Sequence, residues 1–369
     1  MKIYLLLFSI LLLVTSCDDL LLGEDEPIIS LEENLQSPLA LNDGWDVSTL
    51  SAESVDENRI FSLIEDLHNN PRNIHSILII KNNKLVLESY FNGWHRDRLH
   101  TLRSASKSFV STLTGIAIDQ GHFNVDQKVF DFFPEYAHLN NNQKSEIEIK
   151  HILTMTPGFE WDEKTFSSDD YRNDEYALDR SEDRLEYILG KKLVATPGDT
   201  FEYNSGLPFL QAAIIKKATG MDADVFSEKY LLEPLSISNY YWRKNEKDGI
   251  ITAIGPLFLT PRDMAKLGQL FLDNGQWKGN QIISSKWVNE ATTTFIGNES
   301  TASGYGYNWW TVTYSSGIRL YVARGFGGQY IFVIPSLNAV VVFTAGNFPP
   351  FNQQIQVGML TNRILPAML

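Results

Sequence analysis

The chain has 369 residues, of which 43% are hydrophobic and 21% charged, and its formal net charge is −14. This composition is typical of a globular protein with one large domain or two modest ones. An acidic chain without a basic stripe argues against nucleic-acid binding and offers no attraction to anionic lipid surfaces.

The N-terminus has the features of an export signal, because Lys2 precedes a short apolar run over residues 3–14. That run is too short to span a bilayer comfortably. Val14-Thr15-Ser16-Cys17 resembles a bacterial lipobox, and Cys17 is the only cysteine of the chain. We therefore interpret residues 1–16 as a lipoprotein signal peptide and expect a lipidated Cys17 to anchor an exported bacterial lipoprotein to a cell-envelope membrane. An ordinary signal peptide ending in a chance cysteine is the alternative.

An acidic segment without hydrophobic periodicity follows this cysteine. Its composition predicts a tether over residues 17–40 that holds a folded domain off the membrane. The folded domain is predicted to occupy residues 41–369.

Both ends of the predicted domain are rich in β-branched and aromatic residues. Turn-forming residues divide the β-rich segments into two hairpins. The four segments are His75–Ile80, Leu85–Phe91, Gln329–Ile334 and Ala339–Thr344. The alternation of Tyr305, Tyr307 and Trp309 predicts a further strand.

Helical periodicity occupies the middle of the chain. Phe109–Ala117 and Pro208–Ala218 each show one apolar helix face, and Thr260-Pro261 has the features of a helix start. Strands at both ends with helices between them indicate an α+β architecture in which the two ends meet in one sheet. The helical middle is expected to pack on that sheet or to form a lobe beside it.

Ser104-Ala105-Ser106-Lys107 is the motif with the clearest chemical meaning. Its place at the start of the Phe109–Ala117 helix puts Ser104 and Lys107 one turn apart on one face. A lysine whose pKa is lowered by burial and by a helix N-terminus can take the proton of the serine, and the Ser104 N–H can donate to an oxyanion. A chance match is the alternative, since a chain this long holds about one such spacing at average composition.

Two further segments are candidate parts of the same site. Tyr203 precedes the Pro208–Ala218 helix, and a phenol can relay a proton if a nearby ammonium stabilises the phenolate. A tyrosine packed at a helix entrance is the alternative. Gly325–Gln329 leads into a strand, where glycines let the backbone approach a ligand and an N–H can complete an oxyanion hole. A plain turn or bulge is the other interpretation.

Other chemistries find little support in the sequence. The histidines show no His-Glu-x-x-His pattern, which argues against a zinc site. Neither a Gly-x-Ser-x-Gly elbow, nor a phosphate-binding P-loop, nor a complete Gly-x-Gly-x-x-Gly occurs.

Taken together, these residues resemble the serine hydrolases related to class C β-lactamases. That family includes D-alanyl-D-alanine peptidases, β-lactamase-like carboxylesterases and nylon-oligomer hydrolases. The likeness covers about residues 44–365, and its segments occur in the family's order. The segments are Arg103–Asp119, His151–Gly158, Phe201–Gly206, Leu259–Gly268 and Gly325–Gln329.

The resemblance implies a β-lactamase/DD-peptidase-like antiparallel sheet flanked by helices, with a mostly helical lobe and the site between them. It implies acylation of Ser104, with Lys107 and Tyr203 sharing the acid and base roles, and then hydrolysis of the acyl-enzyme by water. It implies no metal or organic cofactor.

Two positions depart from the family pattern. The family's Tyr-x-Asn reads Tyr203-Asn204-Ser205 here, so Ser205 holds the asparagine position. β-Lactamases and peptidases carry Lys or His before the strand glycines, where it would bind a substrate carboxylate, but this chain has Phe326. Arg324 would substitute if the strand extends that far; a solvated surface arginine is the alternative. The predicted substrate-binding residues are Ser205, Gly327, Gly328 and Arg324.

The predicted activity is hydrolysis of a small-molecule ester or amide, favoured over β-lactams because of Phe326. A cell-wall D-alanyl-D-alanine peptidase or β-lactamase is the alternative among enzymes. A catalytically silent surface-binding lipoprotein is the alternative outside them.

Overall fold

The computed structural model describes residues 29–251, 257–298, 303–349, 351 and 354–369. The predicted signal peptide and Cys17 lie outside these ranges. Among the helices of these ranges, none is long and apolar enough to cross a membrane.

Strands from both ends of the chain build the main sheet. In chain order the strands are Asp46–Val47 (β1), Ile74–Lys81 (β2), Lys84–Tyr90 (β3), His100–Thr101 (β4), Tyr240–Trp242 (β5), Leu257–Leu259 (β6), Gln276–Trp277 (β7), Asn280–Gln281 (β8), Ile296–Asn298 (β9), Ser303–Tyr305 (β10), Trp310–Thr313 (β11), Arg319–Gly325 (β12), Gln329–Ile334 (β13) and Ala339–Ala345 (β14). Within the described residues, the main sheet has the order β1-β3-β2-β14-β13-β12-β11-β10-β9. Ile79 of β2 lies opposite Val341 of β14, so the two chain ends meet in one sheet, as predicted.

Helices cover both faces of this sheet. The α-helices are Leu31–Asn34 (α1), Glu57–Asn69 (α2), Ser106–Asp119 (α3), Ile149–Leu153 (α4), Asp174–Arg180 (α5), Arg184–Gly190 (α6), Leu207–Thr219 (α7), Ala223–Ser227 (α8), Pro261–Leu272 (α9), Ser285–Ala291 (α10), Ile355–Met359 (α11) and Leu365–Met368 (α12). On one face, α2, α11 and α12 pack against residues such as Ile79 and Val341. On the other face, α3 and α9 share a core with Leu78 and Val340.

The helical middle of the chain forms a lobe beside the sheet. Helices α4 to α8 lie there, and buried Phe209 and Leu210 of α7 belong to the same core as buried Phe109 and Leu113 of α3. Since α3 also shares a core with the sheet, it lies at the junction of sheet and lobe. The α+β architecture with a helical lobe is thus confirmed.

The folded part begins earlier than the predicted boundary at residue 41. Ser30 caps α1 through a capping box with Glu33. Buried Asn34 pairs with the backbone of Tyr90 on β3 through two hydrogen bonds of 2.9 and 2.7 Å. Residues from about 30 onward therefore belong to the domain, and the tether predicted over 17–40 is too long at its C-terminal end.

The strand predicted from the alternation of Tyr305, Tyr307 and Trp309 is interrupted. Strand β10 ends at Tyr305 and β11 begins at Trp310, with the intervening residues in a turn. Asn308 has φ +58 in this turn, a left-handed conformation that a strand cannot contain. The alternation reflects aromatic packing on either side of a turn.

The segment Leu259–Gly268 has a structural role that explains one of the family-like motifs. Arg262 of α9 donates to both carboxylate oxygens of Glu88 on β3, at 2.7 and 2.6 Å. It also donates to Asp43 and to the carbonyl of Leu39. Both charged groups are buried, and this network fastens the N-terminal segment to α9 and the sheet.

Candidate active site

Ser104 lies in a tight turn between β4 and α3. Residues Arg103–Ala105 form one turn of 3₁₀ helix that leads directly into α3. Arg103 adopts φ +49, a conformation that an L-residue other than glycine rarely holds and that concentrates at functional sites. The hydroxyl of Ser106 donates to the Arg103 carbonyl and so supports this backbone.

Lys107 lies beside the hydroxyl of Ser104. Its Nζ donates to Ser104 Oγ at 2.9 Å, and only 3% of the residue is exposed. The start of α3 is fixed by Asn308, whose Nδ2 donates to the Lys107 carbonyl at 3.2 Å and whose own carbonyl accepts from the Ser108 hydroxyl at 2.7 Å. The predicted one-turn relationship of Ser104 and Lys107 is therefore present in the structure.

The charge state of Lys107 differs from the expectation. Burial acts to lower the pKa of Lys107, as predicted, but the opposing effects of Tyr203, Glu163 and Glu175 are larger in sum, and the pKa is raised. The lysine is accordingly an ammonium at neutral pH. As an ammonium it can hold a hydrogen bond to Ser104 and stabilise a phenolate.

Tyr203 lies on the other side of the lysine. The Lys107 Nζ is 5.0 Å from the centroid of the Tyr203 ring. The ring stacks on Trp310 at 6.0 Å, and Trp310 in turn meets the edge of Tyr305 at 4.8 Å. This aromatic wall fixes the orientation of the phenol relative to Ser104 and Lys107.

Two carboxylates that the sequence did not single out complete the surroundings of the lysine. Glu163 accepts hydrogen bonds from the backbone N–H and the hydroxyl of Ser205, at 2.8 and 3.1 Å. The pKa of Glu175 on α5 is raised, first by burial and then by the negative charge of Glu163, against the weaker effect of Lys107. Both carboxylates belong to the loop Asp162–Asp183, which therefore borders the site.

Ser205 is buried and its polar groups are turned toward Glu163. Ser205, which holds the position of the family's asparagine, therefore makes its hydrogen bonds to Glu163 within the protein. Neighbouring Asn204 accepts from the Gly206 N–H through Oδ1 at 2.8 Å, while its Nδ2 has no partner among the described residues.

The glycine segment Gly325–Gln329 lies against the turn that holds Ser104. A Cβ on Gly325 would lie 2.2 Å from the Leu102 carbonyl oxygen, so only glycine permits this approach of β12. The predicted substrate-binding glycines have another explanation, however. The place of a Cβ on Gly327 is filled by the Phe348 ring, and that on Gly328 by the Gln356 amide. Their side-chain space is thus occupied by protein, and the predicted ligand contact would have to come from their backbone.

Arg324 is not on the Ser104 side of the sheet. It pairs in register with Tyr330 and its guanidinium lies 5.9 Å from the centroid of that ring. Tyr330 belongs to the core on the α2 face, whereas Ala323 and Leu102 belong to the core on the α3 face. The suggestion that Arg324 replaces the missing cation is therefore wrong, and the alternative of an exposed arginine holds. Phe326 is 49% exposed and contacts Phe348.

Sequence reasoning found the contiguous part of this arrangement and missed the rest. Glu163 and Ser205 are separated by 42 residues, and no spacing rule connects them. Asn308 fell inside the strand predicted from aromatic alternation, and Trp310 directly follows the residues of that alternation. The family-like order of motifs could have directed attention to the segment between His151–Gly158 and Phe201–Gly206, but not to a particular residue. Over the described residues, no group of three or more His, Cys, Asp or Glu is arranged to hold a metal ion.

A serine with an adjacent lysine and tyrosine, between a sheet and a helical lobe, defines a serine hydrolase of the β-lactamase fold. A family model described as Beta-lactamase matches residues 75–361. The chain belongs to this family.

The names of similar proteins and solved structures include both ester and amide hydrolases. The chain is 25% identical to 6-aminohexanoate-dimer hydrolase of Paenarthrobacter ureafaciens over 72% of its own length and 71% of the relative. A family VIII carboxylesterase superposes with a TM-score of 0.67 at 14% identity, covering 87% of this chain and 99% of the other. A D-stereospecific amidohydrolase from a Streptomyces species does so with a TM-score of 0.62 at 15% identity, covering 78% and 93%. The two structures establish the shared fold.

Proposed function

We propose that the protein hydrolyses small esters or amides, with Ser104 as nucleophile and with Lys107 and Tyr203 as its proton-handling partners. The observation that carries this proposal is the 2.9 Å hydrogen bond from Lys107 Nζ to Ser104 Oγ beside the Tyr203 ring. A serine hydroxyl that is hydrogen-bonded to a buried lysine, with a phenol beside that lysine, combines a nucleophile with two groups that can handle its proton.

The raised pKa of Lys107, together with the Tyr203 ring 5.0 Å from its Nζ, favours Tyr203 as the group that accepts the Ser104 proton. An ammonium at Lys107 donates to Ser104 Oγ and stabilises a phenolate at Tyr203, which can accept the Ser104 proton as Oγ attacks the substrate carbonyl. The bond to the leaving alcohol or amine then breaks, and Tyr203 returns the proton to it. In the second half of the reaction, Tyr203 accepts a proton from water as the water oxygen attacks the acyl carbonyl. Tyr203 then gives this proton to Ser104 Oγ as the bond between Oγ and the acyl group breaks, and the acid product leaves.

Esters and small amides are favoured over substrates that carry a carboxylate. The cation that would bind such a carboxylate is replaced by Phe326, Arg324 lies on the other face of the sheet, and Glu163 and Glu175 place negative charge near Lys107. The names of the carboxylesterase, the amidohydrolase and the 6-aminohexanoate-dimer hydrolase support ester or amide chemistry in this fold.

Release of p-nitrophenol from short-chain esters by the purified full-length chain tests the proposal. We expect Ser104→Ala to reduce kcat/KM by at least about 10³-fold, since removal of the nucleophile leaves only residual binding effects. A fluorophosphonate probe should label the wild-type chain and not this variant. Equal hydrolysis by both proteins on every acyl substrate would contradict the proposal. Strong labelling by a fluorescent penicillin would favour the peptidase or β-lactamase alternative instead.

We also propose that the protein is an exported lipoprotein anchored to a cell-envelope membrane through Cys17. The support is the lipobox-like Val14–Cys17 after a short apolar run. Metabolic labelling with an alkyne fatty acid should modify the wild-type chain and not Cys17→Ser. Equal labelling of both, or of neither, would overturn the anchor while leaving the enzymatic proposal untouched.

A further inference from the structure

We infer that Glu163 is a positioning residue that holds the Tyr203–Ser205 segment in place beside Ser104 and Lys107. This inference rests on the proposed function. Three donors converge on the Glu163 carboxylate: the backbone N–H of Ser205 at 2.8 Å, the hydroxyl of Ser205 at 3.1 Å and the indole N–H of Trp161 at 2.7 Å. Hydrogen bonds to a carboxylate are about twice as strong as those between neutral groups.

The contact acts on the segment that carries the phenol. Ser205 is two residues from Tyr203, and it is buried, so its N–H and hydroxyl need partners within the protein. Asn204 accepts from the Gly206 N–H at 2.8 Å and thereby fixes the same segment on the side of α7. With Ser205 held by Glu163 and Asn204 bonded to Gly206, the two residues that follow Tyr203 are both fixed.

Glu163 is itself held in a fixed position by neighbouring residues, so it can hold Ser205 in place. Trp161, which donates to its carboxylate, is buried, and its ring lies against Gly206, where a Cβ would be 2.9 Å from the indole. Buried Asn173 donates to the carbonyl of Glu163 at 3.3 Å while accepting from the Glu175 N–H at 3.0 Å as the cap of α5. The loop that carries Glu163 is thus fastened to the site and to α5.

Glu163 also acts on Lys107 through its negative charge. Two substitutions separate this electrostatic effect from the effect of its hydrogen bonds on the Tyr203–Ser205 segment. The charged and titratable groups that act on Lys107 are Tyr203, Glu163 and Glu175, and all three raise its pKa. Replacement of Glu163 by glutamine keeps one acceptor oxygen and the shape of the side chain, but it removes the negative charge. Replacement of Ser205 by alanine keeps the charge and removes one of the hydrogen bonds.

The experiment measures kcat, KM and the pH profile of kcat/KM for the full-length chain on a neutral short-chain p-nitrophenyl ester. We expect Glu163→Ala to lower kcat about 10–100-fold with KM changed less than about 3-fold, since misplacement of a proton-transferring group affects the chemical step. Glu163→Gln should recover most of kcat but move the alkaline limb of the profile to lower pH, because Lys107 loses a stabilising negative charge. Ser205→Ala should lower kcat without moving that limb.

Glu202→Gln is the matched control, because Glu202 is adjacent to Tyr203 but exposed and paired with Lys164. It should leave kcat and the profile unchanged. If Glu163→Ala does not fold, Glu163→Gln and Ser205→Ala still decide the matter. An enzyme that depends on Ser104 but keeps wild-type kcat and pH profile in these two variants would overturn this inference alone. An enzyme indifferent to Ser104→Ala would instead overturn the proposed function.

Discussion

Gly325 of β12 and the carbonyl oxygen of Leu102 approach so closely that a Cβ on the glycine would lie 2.2 Å from that oxygen. Leu102 precedes the turn of Arg103–Ala105 that presents Ser104. The end of the strand and the nucleophile turn are therefore in backbone contact, with no side chain between them. The position of Ser104 relative to the sheet depends on this contact.

Substitution of Gly325 by alanine should disturb the active site as well as the fold. Because the obstacle is a backbone oxygen, the turn or the strand has to move, at a cost of about 1–3 kcal/mol for overpacking. We expect a more than tenfold loss of esterase activity together with a lower midpoint of urea unfolding. Gly190→Ala is the control, since a Cβ there meets nothing within 4 Å. Full activity of Gly325→Ala would show that the approach is not required for catalysis.

The buried pair of Arg262 and Glu88 should be strongly sensitive to removal of one partner. Arg262→Met leaves the Glu88 carboxylate buried with much of its hydrogen bonding lost, and we expect a loss of about 3–5 kcal/mol in the free energy of unfolding. The exposed pair of Arg59 and Asp56 offers a comparison, for which Arg59→Met should cost about 0–1 kcal/mol. Similar losses for both variants in urea titrations would contradict the structural role assigned to Arg262.

The carboxyl group of Glu175 should make stability depend on pH. Its pKa is raised, mainly by burial and then by Glu163, so the folded chain binds a proton that the unfolded chain releases at about pH 4.3. Stability is therefore lost as the pH rises from that value through the folded pKa. Glu175→Gln should raise Tm at pH 8 and change it little at pH 4, because only at the higher pH does the folded chain hold an unfavourable buried charge at this position.

Scanning calorimetry at both pH values checks this expectation for Glu175. Asp169→Asn removes an exposed charge from the same loop and should leave Tm unchanged at each pH. If Glu175→Gln and the wild type have the same Tm at pH 8, the ionised Glu175 carboxylate does not destabilise the folded state.

Substrate charge should affect turnover through the same carboxylates. We expect kcat/KM to be roughly tenfold lower for the p-nitrophenyl monoester of adipic acid than for p-nitrophenyl hexanoate, since repulsion of about 1.4 kcal/mol is reasonable at an effective dielectric near 20. Glu175→Gln should bring the kcat/KM values of the two esters closer together. Arg324→Gln should not change it, because Arg324 lies on the opposite face of the sheet. Preference for the anionic ester in the wild type would contradict this account.

Local sequence patterns predicted those parts of the fold that depend on neighbouring residues. The strand Gln329–Ile334 and the helix that Thr260 caps were predicted closely, because side-chain alternation and capping act within a few residues. Ser104 and Lys107 were likewise visible, since they lie only three positions apart in the sequence. The start of the domain was placed too late, because Asn34 pairs with distant Tyr90 and only the short apolar pair of Leu31 and Leu35 packs on the core there.

Features that depend on distant residues could not be predicted in this way. The contact of Glu163 with Ser205 joins a loop to a helix entrance across the lobe. The face on which Arg324 lies follows from its register with Tyr330 and from the packing of that ring. Burial acts to lower the pKa of Lys107, and its net rise follows from Tyr203, Glu163 and Glu175, whose positions only the folded chain defines.

The pairing of β2 with β14 has a consequence for the order of folding. During synthesis β2 emerges early and can pair with β3, but its other neighbour, β14, is not available until residues 339–345 have been made. Closing a loop of this length costs about 5 kcal/mol of chain entropy before the contact is gained. The sheet, and with it the surface that supports Ser104, is therefore completed only when the chain is nearly complete, and such long-range pairing favours slow folding.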